Sequence, residues 1–123
     1  MEKAYQAYKN QAQFLLVYIR EAHPDSVLYT KIDGKEVLLK IGQTSDLASR
    51  SEKAEQCAAT LNLTLPTVID KADNKVNTAY AGWPDRLYIV GKDGKIAYKG
   101  GPGPGGFKIN EMTAELEKIL AKK

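Results

Sequence analysis

Few side chains in this chain could take part in covalent or proton-transfer chemistry. The 123 residues contain one cysteine, Cys57, and one histidine, His23. That count excludes an internal disulfide, a Cys-x-x-Cys dithiol and a zinc site rich in cysteine and histidine, so we expect no metal and no cofactor. Glu21 stands two residues before His23, and a histidine beside a carboxylate can change its protonation near neutral pH. Glu21 and His23 are therefore candidates for proton handling; the alternative is that they only tie down the next loop.

The elements around this pair indicate a layered α/β fold. Residues 3–13 carry an apolar face at helical spacing, and residues 14–19 form an apolar run without alternation, which is typical of a strand covered on both faces. A helix followed by a buried strand predicts a parallel α/β architecture. Because such sheets keep their binding sites at the carboxyl ends of strands, Glu21 and His23 are predicted to lie at a binding edge.

Short strands and hairpins are predicted along the rest of the chain. The clearest hairpin has strands 86–90 and 95–99 on either side of the turn 91–94. Weaker signals predict a hairpin of residues 27–32 and 36–41 about Asp33-Gly34, and a short strand over 66–70.

Three more helices are predicted. One runs over 50–62 after a capping box of Ser49 and Glu52. Asp73 caps a short helix that continues to about residue 81, and Asn110 caps the last helix. The side chains predicted to face inward are Ala54, Cys57, Ala58 and Leu61 in the first, Val76 and Tyr80 in the second, and Met112, Leu116, Ile119 and Leu120 in the third. With no repeat and no linker, residues 1–123 are expected to form a single domain.

Composition excludes several classes of function. Hydrophobic residues make up 43% of the chain and charged residues 27%, a balance typical of globular domains. The net charge of +3 is spread along the sequence, so no nucleic-acid stripe is expected. No apolar run approaches the ~20 residues of a membrane span, and residues 1–13 do not resemble a signal peptide. We therefore expect a soluble, cytoplasmic protein with no membrane contact.

Three stretches resemble motifs of the iodothyronine deiodinase family, which has the thioredoxin fold. Residues 16–24 resemble its strand that ends Tyr-Ile-x-Glu-Ala-His-Pro. Residues 73–80 and then 86–90 resemble its Asp-Asn-x-x-Asn-x-Ala-Tyr and Arg-Leu-Tyr-Val-Ile segments, and residues 95–104 its Lys-Ile-x-Tyr-x-Gly-Gly-x-Gly-Pro. The resemblance covers most of residues 4–120 and implies a thioredoxin-like sheet in a family of thiol- or selenol-dependent oxidoreductases.

The resemblance also implies an N-terminal truncation. In the family, a central strand and a loop carrying selenocysteine or cysteine precede the first helix, and here Met1 already stands in that helix. Without this strand, the strands at 14–19 and 86–90 would have open edges. Three outcomes remain open: the two strands pair in a rearranged sheet, a second copy fills the gap in a homodimer, or the chain is a fragment. We favour a dimer or a rearranged sheet.

The same resemblance assigns roles to individual residues. It implies that His23 lies near the phenolic hydroxyl of a substrate and that Arg86 binds the phenolate. It implies a cis bond before Pro84 and aligns Cys57 with a cysteine of some relatives, a possible resolving thiol. Without the resemblance, Arg86 is a surface arginine at a strand end and Cys57 a buried small side chain.

Two functions are therefore left open. The chain is a redox-family scaffold without its nucleophile loop, inactive alone, with a small phenolic or thiol substrate in its family. Alternatively, it is a non-enzymatic module that assembles with itself or with another protein.

Overall fold

The computed structural model describes residues 1–21, 27–40 and 42–122. They contain four helices and six strands interspersed along the chain, which confirms the mixed α/β class. The order is α1 (Glu2–Tyr8), β1 (Leu16–Tyr18), β2 (Val27–Ile32), β3 (Lys35–Lys40), α2 (Leu47–Thr60), β4 (Thr67–Ile69), α3 (Lys75–Tyr80), β5 (Tyr88–Val90), β6 (Ile96–Lys99) and α4 (Ile109–Ala121).

The described strands form three sheets of two strands each. β1 pairs with β4 in parallel, with Leu16 opposite Thr67 and Tyr18 opposite Ile69. β2 pairs with β3 and β5 with β6, both antiparallel, so both predicted hairpins are confirmed. Asp33 and Gly34 both have positive φ, at 52° and 78°, as a tight two-residue turn requires. A continuous thioredoxin-like sheet stays a prediction.

The chain divides into two compact units. The first comprises Met1–Phe14 and Ala81–Lys123 and has an apolar core. Met112 and Leu116, one turn apart on α4, are buried because that helix presents one apolar stripe, as predicted. The core is built from Ala4, Leu87 and Met112, with Met1, Phe14, Ile89, Tyr98, Phe107 and Ile109 packed against them.

In the second unit, Leu15–Tyr80, the buried side chains that the structure describes are mostly polar. Ala54 and Leu65 are its buried apolar residues in the described part of the chain. The buried polar residues there are Glu21, Thr44, Arg50, Asp70 and Asn77. Because buried polar groups must be hydrogen-bonded, this unit depends on specific polar contacts.

Several predicted helix boundaries are wrong. α1 ends at Tyr8 and not at residue 13. α2 begins at Leu47, because the Asp46 carboxylate accepts a hydrogen bond from the Ser49 backbone N–H at 2.8 Å; Asp46 is the N-cap, and Ser49 lies in the first turn. α4 begins at Ile109, after Lys108, so Asn110 is not its cap.

Three predicted core positions are also wrong. Leu61 is 58% exposed, because α2 ends at Thr60 and Leu61 already belongs to the following turn. Val76 and Tyr80 are 38% and 44% exposed, and α3 buries Asn77 instead. The six residues of α3 form too short a helix for an apolar stripe to determine its orientation.

Candidate functional site

Glu21 is buried just after β1, and hydrogen-bond donors surround its carboxylate. Oε1 accepts from the Tyr18 hydroxyl at 3.1 Å and Oε2 from the Gln43 side-chain amide at 3.2 Å. Oε2 also accepts from the backbone N–H of Thr44 at 3.1 Å. The Thr44 hydroxyl lies 2.8 and 2.9 Å from the two carboxylate oxygens. A charged carboxylate in a buried site is stabilised by such donors.

Arg50, near the start of α2, is 2% exposed and connects to Glu21 through Thr44. Its Nε donates to the Thr44 hydroxyl at 3.1 Å, and the same guanidinium reaches the Thr44 carbonyl at 3.3 Å. Its Nη1 contacts the carbonyls of Asp70 and Lys71 and the side-chain oxygen of Asn74. The guanidinium therefore joins α2, the segment before it and the end of β4.

Asp70 completes this polar core at the carboxyl end of β4. Its two carboxylate oxygens accept the backbone N–H groups of Val76 and Asn77 at 3.1 and 2.9 Å. These are N–H groups of the first turn of α3, which have no partner within the helix. The buried carboxylate of Asp70 thus has the capping role that the sequence assigned to Asp73. Asp73 is exposed and contacts Lys75, through its backbone N–H at 3.2 Å and its ammonium at 3.8 Å.

Cys57 is half-buried on α2 and lies within hydrogen-bonding reach of the Tyr18 hydroxyl. Burial raises the pKa of the Cys57 thiol and is the largest effect; the Tyr18 hydroxyl and Lys53 lower it by less, and the Glu21 charge, the smallest effect, raises it. Burial also raises the pKa of Tyr18, followed by the effects of Cys57 and Glu21. Both side chains are therefore held in their neutral forms near neutral pH.

His23 lies outside the described residues, so its place beside Glu21 stays a prediction. The other candidate residues are described. The bond between Trp83 and Pro84 is cis, as expected, and a second cis bond, at Gly103–Pro104, was not predicted.

Arg86 is half-buried and is held by main-chain carbonyls within its own unit. Its Nε donates to the Ala81 carbonyl at 2.9 Å, and its Nη1 donates to the Gly100 carbonyl at 2.9 Å. These contacts connect the segment before β5 to the end of β6. They fix the guanidinium, and the predicted role of Arg86 toward a ligand stays a prediction.

The described residues contain no group of three metal-ligating side chains. In the same part of the chain, no helix has the length and apolar character needed to cross a membrane.

Comparison with known proteins identifies the family. The family model of iodothyronine deiodinase matches residues 1–120. This chain belongs to the iodothyronine deiodinase family. It is 35% identical over 111 residues to the thyroxine 5-deiodinase of Sparus aurata. This alignment covers 90% of this chain and 39% of that protein. It is also 35% identical to the type II iodothyronine deiodinase of Rattus norvegicus, over 94% of this chain and 44% of that protein.

The human thyroxine 5-deiodinase is 32% identical over 111 residues. The match covers 90% of this chain and 34% of the human protein. The chain thus spans less than half the length of these relatives. The recognition from sequence motifs is confirmed at the level of the family.

Sequence reasoning missed Thr44, Arg50 and Asp70, although one signal for Arg50 was present. Arg50, Ala54 and Cys57 are spaced i, i+4 and i+7, so an arginine occupies the inward-facing stripe of α2. A buried arginine requires partners, so this position alone could have indicated a polar core. Thr44 gives no such signal, because it follows no periodic element.

Proposed function

We propose that these 123 residues are a deiodinase-like scaffold of the thioredoxin class that contains no redox nucleophile, so that the chain alone is inactive. The observation that supports this is the state of Cys57, the one cysteine in the sequence. The thiolate is the nucleophilic form of cysteine, and burial raises the pKa of this thiol. The reductive step would therefore need a thiol or selenol from outside these residues.

The substrate class follows from the family and from Arg86. Relatives of this chain are named for thyroxine and iodothyronines, and we extend a phenolic substrate of that kind to this chain. A guanidinium suits an oxyanion because it is planar, charged and rich in donors. Arg86 is held by two carbonyls and so loses little side-chain freedom on binding a phenolate. His23 is proposed as the second substrate contact and Cys57 as a resolving thiol only.

The test is an iodide-release assay with thyroxine and excess dithiothreitol. The 123-residue chain is expected to release no more iodide than buffer. A fusion that adds an N-terminal strand and a Cys-x-x-Cys or Cys-x-x-selenocysteine loop is expected to gain activity. The matched fusion with Ser-x-x-Ser is expected to gain none. Iodide release by the unmodified chain that disappears in Cys57→Ser would contradict the proposal.

A second function, self-assembly, is favoured by the apolar side chains on the short strands. Val90 on β5 is 53% exposed, Ile96 on β6 is 49% exposed and Val68 on β4 is 45% exposed. Exposed apolar strands in small sheets are prone to pair with another chain. We propose a homodimer as this alternative; a solution mass of one chain with a cooperative melt would exclude it.

A further inference from the structure

We infer that Arg50 is a positioning residue that, through the Thr44 hydroxyl, fixes Glu21 as a carboxylate that only accepts hydrogen bonds. In this arrangement Glu21 orients its neighbours and does not carry a proton to or from a ligand. Arg50, Thr44 and Glu21 all lie within one compact unit.

The direction of these bonds follows from the donors. Arg50 Nε–H can only donate, so the Thr44 oxygen accepts it at 3.1 Å. The hydroxyl proton of Thr44 then points away from Arg50, and the nearest acceptors are the Glu21 oxygens at 2.8 and 2.9 Å. The backbone N–H of Thr44 is also a donor. Thr44 therefore presents two donors to Glu21, and Arg50 determines the direction of one of them.

The carboxylate of Glu21 has no acceptor site left over. An ionised carboxylate offers about four lone-pair sites. The donors around Glu21 are the Tyr18 hydroxyl, the Gln43 amide, and the N–H and hydroxyl of Thr44. These four donors fill the four sites, and a proton on either oxygen would face a donor. In every described contact of Glu21, the carboxylate is therefore the acceptor.

Arg50 supplies the charge that balances this anion. All of the oxygens that its guanidinium contacts are neutral, and they belong to Thr44, Asp70, Lys71 and Asn74. A buried cation among neutral acceptors is costly unless a negative charge lies close by. Glu21, one hydroxyl away, and the buried carboxylate of Asp70 are the acidic groups of this polar core. The carbonyls of Asp70 and Lys71 hold the guanidinium in place. The guanidinium in turn orients the Thr44 hydroxyl, which donates to Glu21.

The role of Glu21 toward a substrate rests on the proposed function, whereas the hydrogen bonds among Arg50, Thr44 and Glu21 do not. If Glu21 is a fixed anion, then proton exchange at the predicted substrate site belongs to another group, and His23 is the candidate from the sequence. Glu21 then acts by its charge and by holding its neighbours.

The test measures hydrogen exchange of the Thr44 backbone amide in the 123-residue chain by NMR. Arg50→Met and Thr44→Val are each expected to speed this exchange at least tenfold. The amides of Leu16 and Leu63, which donate to the carbonyls of Pro66 and Ala58 and are not contacted by Arg50, are expected to change less than twofold. Thr44→Ser keeps the hydroxyl and is expected to behave as the unmodified chain. Arg50→Lys should not rescue, because one ammonium lacks the planar fork.

Glu21→Gln tests the acceptor-only state. Glutamine has the shape of a protonated glutamic acid and places a donor against the surrounding donors, so Thr44 exchange is expected to rise at least tenfold. Adding Arg50→Met to that variant should then have no further effect on Thr44. The inference is overturned if Glu21→Gln leaves the exchange unchanged, or if Thr44→Val and Thr44→Ser behave alike. If Arg50→Met does not fold, the comparison of Thr44→Val with Thr44→Ser and the result for Glu21→Gln decide whether the inference holds. None of these measurements depends on deiodinase activity.

Discussion

Tyr18 connects the single thiol of this chain to its buried carboxylate. Its hydroxyl donates to Glu21 at 3.1 Å and lies within hydrogen-bonding reach of Cys57. The Glu21 charge raises the pKa of Cys57, although burial, Tyr18 and Lys53 each affect it more, so the thiol is sensitive to that charge without any ligand. This makes Cys57 useful as a probe even though it is a poor nucleophile.

We predict that Cys57 reacts with iodoacetamide more slowly at pH 7 than a small free thiol does. The physical reason is that burial raises the pKa of the thiol and so lowers its thiolate fraction. Glu21→Gln removes a nearby negative charge, so the midpoint of the alkylation pH profile should move down. Glu36→Gln, at an exposed position on β3, is the control and should leave the profile in place. A midpoint that rises in Glu21→Gln would contradict the assignment.

The same groups predict how stability changes at alkaline pH. Tyr18 and Cys57 have pKa values in the folded chain that are raised above those of the unfolded chain. Their contribution to stability is therefore complete below about pH 8.5, the unfolded pKa of cysteine, and is lost as the pH rises through the folded values. Urea unfolding between pH 8 and pH 11 should show a falling free energy of unfolding. The fall should be shallower in Tyr18→Phe, and an equal slope would contradict this account.

At the scale of elements, α3 is held by Asp70 and not by the aspartate next to it. Asp70 is buried and accepts two backbone N–H groups, whereas Asp73 is exposed. Asp70→Ala leaves two donors without their acceptor and is expected to cost about 2–4 kcal/mol in the free energy of unfolding. Asp73→Ala is the matched control and should cost less than about 1 kcal/mol. Urea denaturation measures both, and equal losses would show that burial of Asp70 does not matter.

The sequence predicted the elements whose signals are local. Asp33-Gly34 indicated a tight turn, and the apolar run before Arg20 indicated the strand β1. The cis bond before Pro84 came from family resemblance, since local chemistry alone gives an X-Pro bond only a small cis fraction. The inward stripe of α4 was readable because 13 residues give it more than three turns.

The polar core could not be predicted in the same way. Arg50 contacts Asp70 and Lys71, about 20 residues further along the chain, and Glu21 contacts Thr44 over a separation of 23 residues. No periodic pattern records such contacts, because each depends on the fold that surrounds it. The same holds for α2, where Ser49 matched a capping box and Asp46, three residues earlier, took the N-cap.

At the scale of the whole molecule, the short strands offer a way for this chain to associate with a second copy. Each described sheet has two strands, and small sheets of this kind are marginal by themselves. Leu15, next to β1, is 60% exposed, and Val90 on β5 is 53% exposed. Pairing with a second copy would cover apolar side chains of this kind and extend the two-stranded sheets.

We predict that Val90→Lys weakens self-association and that the dissociated single chain stays folded. The side chain of Val90 already stands in water, so lysine costs little within one chain, but a charge on a short strand opposes pairing with another. The mass measured by light scattering after size exclusion should fall toward 13.5 kDa, the mass of one chain, as the protein is diluted. For the variant, this fall should occur at a higher protein concentration. Leu47→Lys, at a 47% exposed position on α2, is the matched control and should leave the mass unchanged. If the unmodified chain already has the mass of one chain at every concentration, or if Leu47→Lys dissociates it equally, strand pairing is not what joins the copies.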